Sequence, residues 1–346
     1  TARLLPHRQS KAGAMARALL SGRPASVEMF ADEAFAREVA EVMAREDIST
    51  VYAFSGQMAQ YVPKDLGDAR LLMDFVDVDS EKFAGYARSQ GLVSSLANGF
   101  EAKRLRAFEA SVAARADLCL FVSEAEAKLF RRVIGDQARA IAALENGVDL
   151  DHFNPARGLS EVDAGQGPLI VFTGQMDYPP NIDAVVSFAT EVLPIIRERE
   201  GNARFAIVGR APTTRVTALA QLPGVLVTGE VPDTRPWLLA AAAVVAPLRI
   251  ARGVQNKVLE AMAMAKPVIA SPEAAEGIEA CHGQDLLVAS SAAAQADAVL
   301  SVLHNQERRL AIGRAARAAV QARYSWEAKM APLASLVFPD GTPAAS

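Results

Sequence analysis

The sequence predicts an α/β protein with two doubly wound domains that face each other across a cleft. Its 346 residues are enough for two domains. Apolar strand-like runs alternate with helical patterns almost throughout, an order typical of parallel sheets. A Pro- and Gly-containing stretch separates the two series. We therefore expect an N-terminal domain over 1–155, a linker over 156–167, a second domain over 168–322 and a C-terminal segment over 323–346.

In the first half, apolar runs predict strands at residues 50–54, 70–78 and 117–123. A long helical segment over about 94–116 precedes the third run. Another helix begins at Ser123, whose hydroxyl forms a capping box with Glu126. Residues 143–155 contain a strand end, an Asn-Gly turn and a proline. The first domain is therefore expected to be short, without an opening strand and helix.

The second half shows a complete doubly wound pattern. Strands are predicted at 168–174, 203–209, 224–231, 242–248, 266–271 and 285–289. A helix from Asn181 to about Glu200 follows the first of these strands. Two helical stretches end the chain, and residues 323–330 lie inside the last one.

Composition excludes several classes of protein. A net charge of −4 without a basic stripe argues against a nucleic-acid partner. Two distant cysteines, Cys119 and Cys281, indicate a reducing compartment without a disulfide framework. The four histidines show no zinc spacing, so we expect no metal site of that kind.

The sequence also predicts a cytoplasmic protein. No signal peptide is visible, and the longest apolar stretch, 238–248, is shorter than the roughly 18 residues that span a bilayer. The basic helix over 308–324 is interpreted as a solvated face, and peripheral contact with the anionic inner membrane is the alternative.

The segment ARGVQNKVLEAMAMAKPVIAS, residues 251–271, gives the clearest signal of a binding site. It predicts a helix that begins near Val254, directly after a loop that follows a buried strand. Ligands of parallel sheets bind where such loops lead into helices, and free N–H groups at a helix start bind phosphate. Gly253 permits a close backbone approach. Arg249, Arg252 and Lys257 add cations suited to a diphosphate.

Glu260 lies about two turns into this helix, roughly 10 Å from its start at about 1.5 Å per residue. This is about the separation between the diphosphate and the ribose hydroxyls of a nucleotide. A carboxylate can accept hydrogen bonds from those hydroxyls. The alternative is an exposed i,i+3 pair with Lys257 that contributes a few tenths of a kcal/mol. The spacing leaves both interpretations open.

The segment GVQNKVLEAMAMAKPVIAS closely resembles the signature of retaining glycosyltransferases of family four, which have the GT-B fold of two Rossmann-like domains. Supporting matches in the second half are NGVD (146–149), VFTGQMDYPPNIDAV (171–185), FAIVG (205–209), VTGEVPD (227–233), AEGI (275–278) and YSWE (324–327). Segments of the first half are similar to bacterial sugar transferases associated with exopolysaccharide and exosortase (PEP-CTERM) systems. These are FSGQMAQYV (54–62), DFVDVDSEKF (74–83) and FVSEAEAKLF (121–130).

The resemblance implies that Glu260 binds the ribose of the donor. The family's first glutamate, which contacts the donor sugar, falls on Arg252, so the sugar contacts differ here. Arg252 and Lys257 are the expected catalytic cations. The donor-binding set is completed by Gly174, Arg210, Glu230, Val231, Arg249, Gly253 and Val254. The fold also implies that residues 323–346 pack back on the first domain.

Two strand ends of the first domain are candidates for the acceptor side of the cleft: Ser55, Gly56 and Gln57 at one, Asp77 and Asp79 at the other. The alternatives are a turn with a helix cap for the first group and structural aspartates for the second. An Asp-x-Asp metal site is a further, weaker interpretation, because nothing else matches the fold that uses it.

The resemblance implies transfer of a sugar from a nucleotide-diphosphate sugar to a glycan or lipid-linked acceptor, with retention, in exopolysaccharide biosynthesis. We expect no metal or other cofactor, because protein cations and the helix start can stabilise the leaving diphosphate. Two alternatives remain: a nucleotide-sugar epimerase of the same fold, and a nucleotide-sugar-binding protein without turnover.

Overall fold

The computed structural model describes residues 11–89, 92–251 and 253–337. They form two compact units, each with its own parallel sheet. One unit contains the described residues up to Glu145 together with those from Pro332 onward, and the other is Asn146–Ala331. The predicted linker over 156–167 therefore belongs to the second unit.

The first unit contains a four-stranded sheet with the parallel order β1-β2-β3-β4 among its described residues. Its elements are α1 (Lys11–Ser21), α2 (Ala25–Glu28), α3 (Glu33–Arg45), β1 (Thr50–Phe54), β2 (Arg70–Val76), α4 (Asp79–Ser89), α5 (Leu92–Ala113), β3 (Leu118–Phe121), α6 (Glu124–Ile134) and β4 (Ile141–Ala143). Strands β1 to β3 and the helices α5 and α6 match the predicted positions, and β4 ends at residue 143, within the segment where a strand end was predicted. Helices α1 to α4 were not predicted. Since α1 to α3 precede β1, the expectation of a first domain without an opening helix is wrong.

Local chemistry explains two boundaries in this unit. The strand predicted over 70–78 ends at Val76, whose φ of 70° turns the chain and shifts the pairing with β3. The Ser123 hydroxyl accepts a hydrogen bond from the Glu126 N–H, so it caps α6 as predicted. The Glu126 carboxylate, however, accepts from the N–H of Val78 at 2.9 Å, so only half of the capping box forms around Ser123.

The described residues of the second unit form a six-stranded parallel sheet, in order β10-β9-β8-β5-β6-β7. Its elements are β5 (Leu169–Thr173), α7 (Pro179–Ser187), α8 (Leu193–Arg199), β6 (Arg204–Val208), α9 (Thr214–Thr217), β7 (Val225–Gly229), α10 (Arg235–Ala240), β8 (Ala243–Ala246), α11 (Asn256–Ala263), β9 (Val268–Ala270), α12 (Pro272–Ala275), β10 (Leu287–Val288), α13 (Ala292–Leu303) and α14 (Gln306–Arg323). The last helix, α15 (Trp326–Val337), begins in this unit, and its residues from Pro332 onward belong to the first. The sheet grows from β5 in one direction to β7 and then in the other to β10. The sheet is doubly wound, as predicted, and the order in which strands are added reverses between the neighbouring strands β5 and β8.

Two helical predictions for this unit differ from the structure. The helix predicted from Asn181 to about Glu200 is α7 and α8 joined by a π-helical turn, Phe188–Val192. The turn ends two residues before Pro194, which has no N–H to donate to the preceding turn. The described part of the chain ends in three helices, α13, α14 and α15, rather than two. A break follows Arg323, because Ser325 caps the new helix α15 by accepting from the N–H of Ala328 at 3.0 Å.

Two of the matching motifs pack on each other within the second unit. The N–H of Val148, in NGVD, donates to the carbonyl of Tyr324, in YSWE, at 2.7 Å. A Cβ on Gly147 would lie 2.8 Å from the Trp326 backbone and ring, so this position requires glycine. Further along α15, Leu333 packs against a small cluster formed by Leu72, Leu118 and Leu120.

Hydrophobic burial holds each sheet in place. All residues of β3, β5 and β8 are buried, as expected for parallel strands covered on both faces. In the first unit, the rings of Phe75, Phe121 and Phe130 pack with centroids 4.6–5.5 Å apart. Among the described residues, no helix combines the length and hydrophobicity that crossing a membrane requires.

Candidate functional site

A cavity of about 470 Å³ opens at the carboxyl ends of β5, β6 and β7 in the second unit. It lies next to the point where the strand order switches, which is where parallel sheets bind ligands. The cavity is lined by Phe153, Thr173, Gly174, Gln175, Asn181, Val208, Gly209, Arg210, Glu230, Val231, Thr234, Lys257 and Glu260. Both the size and the mixed lining suit a nucleotide-sized ligand.

Two glycines form the tightest part of this wall. A Cβ on Gly209 would lie 1.7 Å from the carbonyl oxygen of Gly174. A Cβ on Gly174 would lie 2.8 Å from Nδ2 of Asn181 and 3.1 Å from Nζ of Lys257. The ends of β5 and β6 can therefore approach each other, and leave space above them, only because both positions lack a side chain.

Lys257 reaches the floor of the cavity from the first turn of α11. Its Nζ donates a hydrogen bond to Oδ1 of Asn181 and lies 4.4 Å from the centroid of the buried Phe172 ring, a cation–π distance. Burial lowers the pKa of Lys257 to about 8, and the negative charge of Glu260 opposes part of this change. An anionic ligand would favour the charged form of this side chain.

Glu260 lies one turn further along α11 and lines the same cavity. Burial raises the pKa of its carboxyl group, and the positive charge of Lys257 partly opposes the change. In the part of the chain that the structure describes, no N–H or O–H group donates a hydrogen bond to this carboxylate. A partly buried carboxylate without a donor is suited to accept hydrogen bonds from ligand hydroxyls.

Thr173, the last residue of β5, is a second polar group without a partner. Its side chain is buried, it lines the cavity, and its Oγ1 has no hydrogen-bond partner among the described residues. Buried hydroxyls are normally paired, so an unpaired one at a cavity wall is consistent with a place for a ligand or a water.

The structure brings together six residues of the predicted donor set, namely Gly174, Arg210, Glu230, Val231, Lys257 and Glu260. Gly253, Val254 and Arg249 are not among the described residues that line this cavity. The Arg249 guanidinium instead donates to Ser187 and Glu191 at the surface. Arg252 lies outside the described residues. The helix predicted to begin near Val254 begins at Asn256, and Gln255 is its N-cap.

Sequence reasoning did not identify Thr173, Gln175, Asn181 or Phe153 as part of this site. Asn181 carried a signal that could have found it, because it is a polar residue within the otherwise mostly apolar segment PPNIDAVVS of α7. Thr173 carried a weaker one as the single polar residue of the strand LIVFT. Gln175 and Phe153 carried none, because each lies in a loop.

The predicted acceptor-side residues form a hydrogen-bonded group within the first unit. The Ser55 hydroxyl donates to Oε1 of Gln57 at 2.7 Å, and Nε2 of Gln57 donates to Asp79 at 2.7 Å. Gly56 lies between them, and a Cβ there would lie 3.3 Å from the Phe75 ring. Asp77 is exposed. Among the described residues, no group of three or more His, Cys, Asp or Glu side chains could hold a metal.

Comparisons with known proteins agree with this architecture. Residues 167–305, which contain most of the cavity wall, match the family model described as Glycosyl transferases group 1. Over 241 residues, 64% of this chain, the sequence is 30% identical to a GDP-mannose-dependent alpha-(1-6)-phosphatidylinositol monomannoside mannosyltransferase of Mycobacterium tuberculosis. The chain spans 61% of the length of that relative.

Solved structures with a similar fold cover more of the chain at lower identity. Sucrose-phosphate synthase from Thermosynechococcus elongatus aligns with a TM-score of 0.62 at 17% identity, over 89% of this chain and 78% of that one. A glycosyltransferase from Rickettsia africae aligns with a TM-score of 0.63 at 17% identity, over 88% of this chain and 80% of that one. HepE from Anabaena, crystallised with UDP and glucose, aligns with a TM-score of 0.61 at 14% identity, over 87% of this chain and 80% of that one.

The two parallel sheets and these neighbours establish the predicted fold class. The chain has the GT-B fold, with two Rossmann-like α/β units, and its second unit carries the region that matches the group 1 glycosyltransferase model.

Proposed function

We propose that this protein is a glycosyltransferase that binds a nucleotide-diphosphate sugar in the cavity of its second unit. The observation that carries the proposal is the pair Lys257 and Glu260. They lie one turn apart on α11, both partly buried, at the carboxyl edge of the sheet. A structural ion pair on an exposed helix edge would not be buried in a cavity wall.

Each side chain has a role that its chemistry suits. The Lys257 ammonium would bind the diphosphate, and the exposed Arg210 guanidinium at the rim would add charge. The Glu260 carboxylate would accept hydrogen bonds from the ribose hydroxyls. Glu230, Val231 and Gly174 would line the remainder of the nucleotide pocket. The proposed donor site also includes four predicted residues of the loop before α11, namely Arg249, Arg252, Gly253 and Val254.

The transfer step requires little from the protein beyond charge stabilisation. The bond from the anomeric carbon to the diphosphate oxygen breaks, and a bond to the acceptor oxygen forms on the same face, with retention. The acceptor's proton passes to the leaving diphosphate, so no separate base is needed. Lys257 would stabilise the negative charge that develops on the diphosphate. This scheme needs no metal ion.

Two comparisons support the choice of donor and acceptor without selecting one nucleotide. The mycobacterial relative is named for GDP-mannose and for a phosphatidylinositol monomannoside, whereas the Anabaena neighbour holds UDP and glucose. We propose a glycan or lipid-linked acceptor in exopolysaccharide biosynthesis, contacted by Ser55, Gly56, Gln57, Asp77 and Asp79. The basic helix α14 would support a peripheral position at the cytoplasmic face of the inner membrane.

A nucleotide-sugar-binding protein without turnover is the second candidate. It is favoured by one observation, that Arg252 occupies the position of the family's sugar-contacting glutamate. Slow release of free sugar from a donor would distinguish a transferase from this binder. Conversion of a donor into its epimer without an acceptor would instead identify the epimerase.

The test is calorimetric binding of UDP and GDP, and of a panel of their sugar conjugates, to the wild type and to Lys257→Met. We expect the variant to lose about 10- to 100-fold in affinity for the preferred diphosphate but little for the matching nucleoside. Binding should survive EDTA. If Lys257→Met, folded as judged by its melting curve, binds the diphosphate as tightly as the wild type, the site assignment is wrong.

A further inference from the structure

Asn181 connects the two sides of the strand-order switch. It lies on α7, the helix that follows β5, and its Oδ1 accepts from Nζ of Lys257 on α11, the helix that follows β8. These residues are 76 positions apart in the sequence. Asn181 also lines the cavity, immediately beside Gly174.

The side-chain amide of Asn181 is hydrogen-bonded at both ends. The side chain is 5% exposed, and a buried amide is costly unless it is hydrogen-bonded. Nδ2 donates to the backbone carbonyl of Gln175 at 2.8 Å, which fixes the orientation of the amide. Oδ1 is thereby directed at Lys257, whose ammonium contacts the Phe172 ring as well.

The neutrality of this acceptor has a chemical consequence. An aspartate at the same position would form an ion pair with Lys257 and reduce the positive charge available to a ligand. The amide oxygen instead orients the ammonium and leaves its net charge in place. The other charged side chains that line the cavity are Glu260, Arg210 and Glu230, and of these Glu260 is the one whose charge raises the pKa of Lys257.

We propose that Asn181 is a positioning residue for the donor diphosphate: its amide holds the Lys257 ammonium at the floor of the cavity while leaving the charge free for the phosphates. The inference rests on the proposed function, because it assigns Asn181 a role in that same site. Asn181 acts through Lys257 and does not itself contact the reacting atoms.

The test is a double-mutant cycle with Asn181→Leu and Lys257→Met, read by calorimetry with UDP and GDP and with uridine and guanosine as the matching nucleosides. Asn181→Leu should weaken binding of the preferred diphosphate by about 5- to 10-fold and leave nucleoside binding unchanged. On the Lys257→Met background it should have no further effect, because the residue it positions is absent.

Asn181→Asp gives a second readout, the pH midpoint of diphosphate binding, which would stay unchanged if Asn181 had a purely structural role. Diphosphate affinity of the wild type should fall as pH rises through the ionisation of Lys257. The new carboxylate favours the charged lysine, so the midpoint should move about one pH unit higher. At pH 7 affinity should fall about 10-fold, because the carboxylate competes with the phosphates. Asp183→Asn, an exposed change on the same helix, is the control and should alter neither value.

The outcomes separate the two proposals. If the wild type binds no nucleoside diphosphate, the proposed function fails. If it binds through Lys257 but Asn181→Leu is equally damaging with and without Lys257, or if Asn181→Asp leaves the pH midpoint unchanged, only the positioning role is overturned. Asn181→Asp retains the size of the side chain and keeps the test available where Asn181→Leu does not fold. Because its carboxylate cannot donate to the Gln175 carbonyl as Nδ2 does, its melting curve is recorded before the pH profile is read.

Discussion

The carboxyl edges of the two sheets carry similar polar residues but satisfy them differently. In the first unit, Glu109 accepts from both the N–H and the hydroxyl of Ser80, and Asp79 accepts from Gln57. In the second unit, among the described residues, the Thr173 hydroxyl has no hydrogen-bond partner. Only burial and the charge of Lys257 act on the Glu260 carboxyl group, and no described side chain or backbone N–H donates to it. The Glu109 and Asp79 carboxylates of the first edge are hydrogen-bonded within the protein, whereas Glu260 and Thr173 of the second edge keep unused hydrogen-bonding capacity.

We interpret the hydrogen-bonded polar groups of the first edge as structural and the polar groups without a partner at the second edge as candidates for ligand binding. A buried polar group without a partner costs stability, so its presence at a cavity wall needs a compensating role. The hydrogen bonds around Asp79 and Glu109 are explained by the need to fix the start of α4. The Glu260 carboxylate on α11 has no such structural explanation, which supports our proposal that the donor binds at the second edge.

The largest effect on stability should come from the glycine that closes the second edge. Gly209→Ala places a Cβ 1.7 Å from the carbonyl oxygen of Gly174, which only separation of β5 and β6 could relieve. We expect a loss of about 3–5 kcal/mol in the free energy of unfolding, measured by urea denaturation. At the first edge, Gly56→Ala would meet only the Phe75 ring at 3.3 Å, and the loss should stay below about 1 kcal/mol.

Gly201→Ala is the matched control for this pair, because its new Cβ would have only one neighbour within 4 Å, at 3.9 Å. It should be nearly neutral. Equal losses for Gly209→Ala and Gly56→Ala would contradict the view that the second edge is the more tightly constrained.

The sequence predicts the strands well and the site only in part, for a physical reason. Buried parallel strands are continuous apolar runs such as LIVFT and AVVA, which are visible without any tertiary information. Helices α2 and α3 gave no comparable signal, because α2 has four residues and α3 contains no fully buried residue. The reversal of strand order, which creates the cavity, is a property of pairing and not of any single segment.

The same limit applies to the residues of the site. Lys257 and Glu260 lie on one helix, and their spacing indicated a shared face. The partnership of Lys257 with Asn181 depends on packing between two distant helices, so no local pattern contains it. Arg249 was predicted from its loop position to contact the donor. In the structure its guanidinium forms an ion pair with Glu191 at the surface, and its contact with a donor stays a prediction.

An intermediate effect, dependent on pH, should come from Glu109 at the first edge. Burial raises its pKa from 4.5 to about 7, so the folded protein binds a proton that the unfolded chain releases. Stability from this group is therefore present at low pH and is lost as pH rises from about 4.5 to 7. Glu109→Gln removes this dependence and should be more stable than the wild type by about 2 kcal/mol at pH 8.

Denaturation at a series of pH values measures this difference, and Glu124→Gln, at an exposed position of the same unit, serves as the control. Parallel profiles for Glu109→Gln and the wild type would show that the carboxylate at the first edge is not protonated in the folded state near neutral pH.

The smallest effect on stability, and a large effect on binding, should come from Glu260 at the second edge. Glu260→Gln retains the shape of the side chain and removes a partly buried charge without a protein donor, so the free energy of unfolding should change by less than about 0.5 kcal/mol. The hydrogen bonds to a ribose lose their charge assistance, worth roughly 1.5–3 kcal/mol. Affinity for the preferred nucleoside diphosphate should then fall about 10- to 150-fold by calorimetry.

Glu198→Gln, at an exposed position of α8, is the control and should change neither the free energy of unfolding nor the affinity. A folded Glu260→Gln protein with wild-type affinity would mean that the unpaired carboxylate of the second edge does not mark the donor site.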